Sequence, residues 1–235
     1  MDFCWLLEHQ IVNSDDILEE LRTKENELYE AALSIADKLH HSRVTHSLEL
    51  ERGVKETLEF LDMPKVVFFA KIDACQDGER MKLGALGYDE LEFYISANLG
   101  ADALPMCKIA SGGELARVML ALKGVIADKD GVSTVIFDEI DAGVSGKTAR
   151  KIGVKMRELA KGAQIICVTH SAQIASLADV HLLISKETVD NMTETHVREL
   201  DFDGRVGELS RILGGINVTD AQRLAAIDML NYRED

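Results

Sequence analysis

Two adjacent acidic residues follow a short apolar run near the middle of the chain. The run, residues 133–137, has the composition of a buried strand, and Asp138 and Glu139 end it. In an open parallel sheet, ligands bind at the carboxyl ends of the strands. There Asp138 would hold Mg²⁺ through a water molecule, and Glu139 would orient an attacking water, as at a nucleotide phosphate. The alternative is a strand that simply runs into an acidic turn.

A Ser-Gly-Gly-Glu motif at residues 111–114 precedes an apolar helical pattern. Its spacing is that of a capping box, in which the serine caps the helix and the glutamate returns the bond. The glycines leave the first N–H groups accessible to a phosphate, and the helix dipole favours an anion there. Capping alone would not require two glycines, which destabilise a helix interior by roughly 1 kcal/mol each. The candidate phosphate-binding residues are therefore Ser111, Gly112, Gly113 and Glu114.

A second apolar strand, predicted at residues 164–169, is followed by His170. A lone histidine at a strand end is usually a hydrogen-bonded structural residue. A turn of small residues, 141–146, follows the acidic pair, and Ser145 is suited to cap the next helix. Taken singly, both features have a structural explanation.

The order of these motifs resembles that of ABC-type ATPases, where they are called signature, Walker B, D-loop and H-loop. Residues 137–146, Phe-Asp-Glu-Ile-Asp-Ala-Gly-Val-Ser-Gly, are similar to the corresponding stretch of the RecN family, as are residues 167–175. Members of that family are bacterial DNA-break repair ATPases related to the structural-maintenance-of-chromosomes ATPases. The resemblance is dense over residues 105–231 and looser over 14–104.

The resemblance implies further roles. It makes Glu139 and His170 catalytic residues, with His170 in contact with the γ-phosphate of ATP. It assigns Asp141 and Gly143 to the D-loop, which touches a partner subunit across the bound ATP. In the family, the signature residues close on the ATP of that second head domain.

No phosphate-binding loop is found in the sequence. Such a loop needs Gly-x-x-x-x-Gly-Lys-[Ser/Thr] after a strand. The only Gly-Lys-[Ser/Thr], at residues 146–148, has Asp141 in place of the first glycine and follows the Walker B strand. The resemblance implies an N-terminal head half that carries this Walker A loop and the Q-loop and completes the site for ATP and Mg²⁺. We therefore expect the chain alone to be inactive.

The chain is acidic, with 26 Lys and Arg residues against 41 Asp and Glu residues and a net charge of −15. Such a chain repels nucleic acid except at a local patch. One basic stripe, Lys147, Lys151 and Lys155, lies along the predicted helix 145–161. It is either a solvated helix face or a contact to DNA phosphates.

The four cysteines lack Cys-x-x-Cys spacing, which argues against a disulfide framework and a zinc site and fits a reducing cytoplasm. We find neither a signal peptide nor a membrane span. The expected location is the cytoplasm, and the resemblance implies an association with the nucleoid.

Residues 14–62 are predicted to form one long helix or two. They contain no proline, and Gly53 is their first glycine. Leu21, Leu28 and Ile35 recur every seven residues, which indicates an apolar seam for a partner helix. The segment is either an amphipathic helix packed on the domain or, by resemblance, the returning half of a coiled-coil arm.

Strand and helix patterns alternate after Pro64, which is typical of an α/β domain with a largely parallel sheet. In terms of the resemblance, this is the C-terminal lobe of a P-loop ABC-type ATPase head, residues 63–235, preceded by a helical arm, 1–62. The predicted strands are 66–72, 91–97, 133–138, 164–169, 180–185 and 193–200, with a hairpin-like loop at 73–89, and the predicted helices are 114–127, 145–161, 172–178, 206–213 and 220–230.

Three functional hypotheses stand side by side. The first is part of a RecN-like ATPase in DNA double-strand break repair and recombination. The second is a non-catalytic assembly module that acts through its helical arm. The third is an ABC transporter subunit, against which stand Glu114, where glutamine is usual, and residues 140–143, where Pro-Thr-Ser is usual.

Overall fold

The computed structural model describes residues 3–96, 102–108, 112–127, 129, 131–189, 192–215 and 217–232. Their helices are α1 (Phe3–Phe60), α2 (Gly112–Ile126), α3 (Gly146–Leu159), α4 (Ala172–Ala175), α5 (Phe202–Gly214) and α6 (Asp220–Asn231), with a 3-10 turn at Met106–Lys108. Their strands are β1 (Val67–Ala74), β2 (Gln76–Asp77), β3 (Arg80–Met81), β4 (Asp89–Ser96), β5 (Leu104–Pro105), β6 (Thr134–Asp138), β7 (Gln164–Val168), β8 (Leu182–Val189) and β9 (Met192–Glu199). The predicted α/β class is confirmed, and the loop predicted at 73–89 contains the β2–β3 hairpin.

Helix α1 is one continuous helix, so the first of the two predicted alternatives is correct. Gly53 lies where α1 approaches α2, and a Cβ there would come within 2.9 Å of the Val125 Cγ2 atom. The helix ends at Phe60. Asp62 then adopts a left-handed backbone with φ 60°, and Pro64 follows, which is a common way to terminate a helix.

One compact unit comprises Met1–Glu49 and Phe69–Tyr94. In it the N–H of Met81 donates a 2.8 Å hydrogen bond to the Tyr29 hydroxyl. The buried Asp89 carboxylate pairs with His40 Nδ1 at 2.7 Å and with the Arg43 guanidinium at 2.9 Å. These contacts fix the β2–β3 hairpin and the start of β4 on α1.

The other compact unit comprises Leu50–Phe68 and Ile95–Asp235. In it β6 and β7 are parallel neighbours. The main core joins the end of α1, α2, β6 and α3, and a second cluster joins α4, α5 and α6. The main core includes Leu61, Leu120, Phe137, Ile140, Ile152 and Met156, and the second includes Ala172, Val206, Leu209, Ala226 and Leu230.

The described strands form four small sheets instead of one largely parallel sheet. Strands β1, β4 and β5 share a sheet in the order β1-β4-β5. Strands β8 and β9 are antiparallel, because two intervening residues are too few for the crossover that parallel strands need. The parallel pair, β6 and β7, carries the candidate site. The division into an arm, 1–62, and a lobe, 63–235, stays a prediction.

Among the residues described, none of the helices combines the length and the apolar composition that a membrane span requires.

Candidate functional site

The candidate site lies at the carboxyl ends of β6 and β7. The strands pair in parallel with Asp138 opposite Val168. Glu139 follows the first of these residues and His170 follows the second by two positions, so the two segments leave the same edge side by side. The structure therefore brings together the segments predicted to be Walker B and the H-loop, as expected for a ligand-binding edge.

The acidic pair is held at the surface by its apolar neighbours. Phe137 and Ile140 are 4% and 0% exposed, whereas Asp138 and Glu139 between them are exposed. Glu139 has a left-handed backbone with φ 56°, which is costly for a residue with a side chain. The turn is closed by a 3.0 Å hydrogen bond from the Ala142 N–H to the Glu139 carbonyl. The buried anchors thus direct both carboxylates outward.

The N-terminus of α2 packs against this turn. A Cβ at Gly113 would lie 3.1 Å from both the Ala142 Cβ and the Glu139 carbonyl oxygen, so only glycine permits this approach without a shift. A Cβ at Gly112 would lie 3.3 Å from the Glu139 carboxylate. The Glu139 carboxylate thus lies near the helix N-terminus, which favours a negative group. The predicted cap, Ser111, lies outside the described residues, and Glu114 is exposed.

Arg117 joins α2 to the same turn, and the sequence did not reveal it. Its guanidinium, on a residue that is 7% exposed, donates to the carbonyls of Ile140 (3.2 Å) and Ala142 (3.3 Å). Burial lowers the pKa of Arg117, and Glu114 acts in the opposite direction. The available signal was an arginine within the apolar stripe of α2, where a long cation needs buried acceptors.

Replacing Arg117 with methionine is expected to destabilise the chain by about 1–3 kcal/mol, because the carbonyl of the buried Ile140 and the carbonyl of Ala142 lose their donor. Thermal unfolding followed by circular dichroism should show a Tm lower by about 2–12 °C. Arg52→Met, at an exposed position of α1, is the matched control and should unfold like the parent. Equal Tm values for both variants would show that the carbonyls do not depend on Arg117.

The turn after the acidic pair also has a structural role. Ser145 caps α3, since its side chain accepts a bond from the Thr148 N–H. Gly143 has a positive φ of 72°, which a glycine adopts easily, and a built Cβ would have no neighbour within 4 Å. The turn therefore favours glycine here because of its backbone conformation and not because of close packing. The Asp141 carboxylate accepts bonds from the Thr169 hydroxyl at 2.5 Å and the His170 N–H at 3.1 Å. Asp141 thus connects the turn after the acidic pair with the segment that contains His170.

The predicted basic stripe is partly neutralised. Lys151 pairs with Asp62 at 2.6 Å, and Lys155 pairs with Glu158 at 2.7 Å. Both ammonium groups lie over the Phe60 ring, at 5.4 and 5.1 Å from its centroid. The hydrogen bond from Lys151 is the main cause that lowers the pKa of Asp62. Two of the three lysines therefore attach α3 to the end of α1.

Metal and thiol chemistry are constrained by the side chains present. The described residues contain no cluster of three or more His, Cys, Asp or Glu side chains that would hold a metal ion. A single carboxylate such as that of Asp138 is compatible with Mg²⁺, because this ion is commonly held by one or two carboxylates together with phosphates. Burial, with repulsion from Asp141 and Asp138, raises the pKa of the Cys167 thiol to about 12, so it is not a nucleophile at neutral pH.

Curated relatives of the chain are DNA repair proteins named RecN. It is 37% identical to that of Vibrio cholerae over 221 residues, 94% of this chain and 39% of the relative. It is 34% identical to that of Bacillus subtilis over 96% of this chain and 41% of the relative. The Treponema pallidum protein is 43% identical over 69% of this chain and 28% of the relative. The chain thus spans about two fifths or less of these relatives.

Solved structures with a similar fold are Smc head domains. The head with a coiled coil and joint from Pyrococcus yayanosii has a TM-score of 0.54 over 85% of this chain and 36% of that one, at 20% identity. The head with an extended coiled coil from Pyrococcus furiosus has a TM-score of 0.52 over 89% of this chain and 49% of that one, at 20% identity. This likeness shows that the chain has the fold of an Smc head domain.

No protein-family model matches the chain. The curated relatives nevertheless align with most of it at 34–43% identity. The chain therefore belongs to the RecN family and corresponds to the C-terminal part of its members.

Proposed function

We propose that the chain is part of a RecN-like ATPase in DNA double-strand break repair and recombination. In this proposal ATP is hydrolysed between two head domains and controls a DNA-bound assembly. The observation that carries it is the meeting of β6, β7 and the N-terminus of α2. This places an exposed acidic pair, a histidine segment and a glycine-lined helix N-terminus in one region, which suits a phosphate ligand.

Each side chain has a proposed task in this region. Asp138 is the protein ligand for Mg²⁺, which neutralises charge on phosphate oxygens when it is bound. Glu139 orients and polarises the attacking water, and its left-handed turn keeps it exposed. His170, whose side chain is exposed, contacts the γ-phosphate.

The signature residues act on the ATP held by a second head domain. Gly113 packs the N-terminus of α2 directly against Ala142 of the D-loop, so both would face the same partner. The proposed contacts to that head and its ATP are Ser111, Gly112, Gly113, Glu114 and Gly143. Asp141, which the resemblance also assigns to the D-loop, binds Thr169 and His170 of its own chain.

An N-terminal head half is the third participant. The chain has no Gly-x-x-x-x-Gly-Lys-[Ser/Thr] and spans about two fifths of the first two relatives compared. We propose that this half supplies the Walker A loop, which makes most of the ground-state phosphate contacts.

The isolated chain is therefore expected neither to bind ATP tightly nor to hydrolyse it. Calorimetry with ATP and Mg²⁺ should give no binding in the micromolar range. Addition of an N-terminal half that carries a Walker A loop should restore both binding and turnover. Micromolar affinity of the chain alone would refute the proposed division of the site.

The proposed DNA contact involves fewer lysines than the sequence indicated. Because Lys151 and Lys155 already have carboxylate partners, a DNA phosphate would compete with Asp62 and Glu158 for them. Lys147 is exposed and is the proposed point of contact. An assembly at DNA would place the protein in the cytoplasm at the nucleoid.

One observation favours the assembly module as a second function. Leu21, Leu28 and Ile35 are 58%, 64% and 68% exposed along α1, which leaves the predicted seam open to a partner helix. The transporter hypothesis has no comparable support, since the curated relatives are DNA repair proteins.

A further inference from the structure

The backbone at His170 is fixed by a side chain from the other strand's loop. Asp141 accepts the His170 N–H at 3.1 Å and the Thr169 hydroxyl at 2.5 Å, and both bonds end on the same oxygen, Oδ2. The His170 side chain itself is exposed. The carboxylate thus holds the backbone from which the His170 side chain projects, and it leaves the imidazole ring accessible to a ligand.

Hydrogen bonds extend this anchor along the segment that follows. The Ser171 N–H donates to the Thr169 hydroxyl oxygen at 3.0 Å, and the Ser171 hydroxyl donates to the Gln173 side-chain carbonyl at 2.9 Å. A Cβ at Gly146 would lie 3.1 Å from the Gln173 side-chain nitrogen, so this residue also rests on the start of α3. The segment 169–173 is held between Asp141 on one side and α3 on the other.

We infer that Asp141 is a positioning residue that acts through His170, and that it does not itself bind the nucleotide or the partner subunit. The inference rests on the proposed function, in which His170 contacts the γ-phosphate. A bond to a charged acceptor is about twice as strong as a neutral one, and two such bonds on one oxygen restrict the backbone at His170. Holding a catalytic group in place matters because a misplacement of about 1 Å can cost on the order of 100-fold in rate.

The first test uses the chain itself and needs no ATP. Amide hydrogen exchange of His170, measured by NMR, should become at least about tenfold faster in Asp141→Ala, which removes the acceptor. Asp141→Asn keeps an oxygen acceptor and should change the exchange rate by less than about threefold. Thr169→Val keeps the shape of the side chain at position 169 and the bond from the His170 N–H to Asp141, so the His170 amide should stay protected. This variant tests the anchor even if Asp141→Ala folds poorly. Two results would contradict the proposed role of Asp141. One is an unchanged exchange rate of the His170 amide in a folded Asp141→Ala variant. The other is exchange of that amide in Thr169→Val at the rate of an unfolded chain.

The second test uses the chain assembled with an N-terminal head half. Asp141→Ala should lower kcat on the order of 100-fold and change the KM for ATP little, and Asp141→Asn should retain most of the kcat. In a His170→Ala background, Asp141→Ala should cause no further loss, because both changes remove one function. A further loss of similar size would show that Asp141 acts directly and would overturn the inference. If the unmodified assembly has no ATPase activity, the proposed function fails, and the exchange experiment still decides the anchor.

Discussion

Replacing Glu139 with glutamine in the complete protein is expected to slow ATP hydrolysis by about 10²–10⁴-fold and to leave ATP binding intact. The amide has the shape of the carboxylate but cannot accept a proton from the attacking water. The exposed position of Glu139 depends on the buried Phe137 and Ile140 and on the turn bond to Ala142, none of which the change touches. With chemistry blocked, the dimer of heads with trapped ATP should accumulate.

Single-turnover hydrolysis and native mass spectrometry measure these two effects. Glu187→Gln, at an exposed position of β8, removes the same charge far along the chain from the acidic pair and should keep the parent rate. If Glu139→Gln loses ATP binding and hydrolyses prebound ATP at the normal rate, Glu139 is not the residue that orients the water.

Replacing Ser111 with arginine is expected to abolish ATP-driven dimerisation and to leave the fold intact. The change removes the predicted cap of α2 and costs about 1 kcal/mol, against the 5–15 kcal/mol by which single domains are usually stable. It also places a bulky cation beside Gly112, at a helix end that favours anions. The phosphate of the second head would then meet a blocked N-terminus.

Mixing experiments show whether the signature acts across the dimer. Complete subunits with Ser111→Arg are mixed with subunits whose Walker A loop is broken, each inactive alone. In a mixed dimer one composite site carries both lesions and the other carries neither, so part of the ATPase activity should return. Gly124→Arg puts the same cation near the C-terminus of α2, where a built Cβ meets no neighbour, and should keep full activity.

Mixed dimers without activity would have two explanations. Either Ser111 acts within its own subunit, or both sites must be intact together. A covalently linked dimer with a single Ser111→Arg lesion separates them, because one intact composite site remains. Activity near half of the parent would show that one intact site works alone, so that Ser111 acts within its own subunit. Full loss would show that the two sites act only together.

Local patterns in the sequence determined the elements of the site. An apolar run that ends in acids predicted β6, and a similar run before His170 predicted β7. Ser-Gly-Gly-Glu predicted a helix N-terminus, and the structure begins α2 at Gly112. Residues 14–62 contain no proline and no glycine before Gly53, which predicted a long helix in the region of α1. These features depend on residues within a few positions of one another, so periodicity, capping and backbone restrictions are sufficient to predict them.

The tertiary structure alone decided which side chains meet. Arg117 binds carbonyls more than 20 positions away, and Asp141 binds the backbone of His170, 29 positions away. The lysine stripe looked solvated or DNA-binding, yet Lys151 pairs with Asp62, 89 positions away. Such pairs depend on how helices pack and strands align. The type and spacing of residues along the chain do not indicate which distant residue each side chain will contact. The sequence therefore predicted where the candidate site lies, and the packing decided what holds its residues in place.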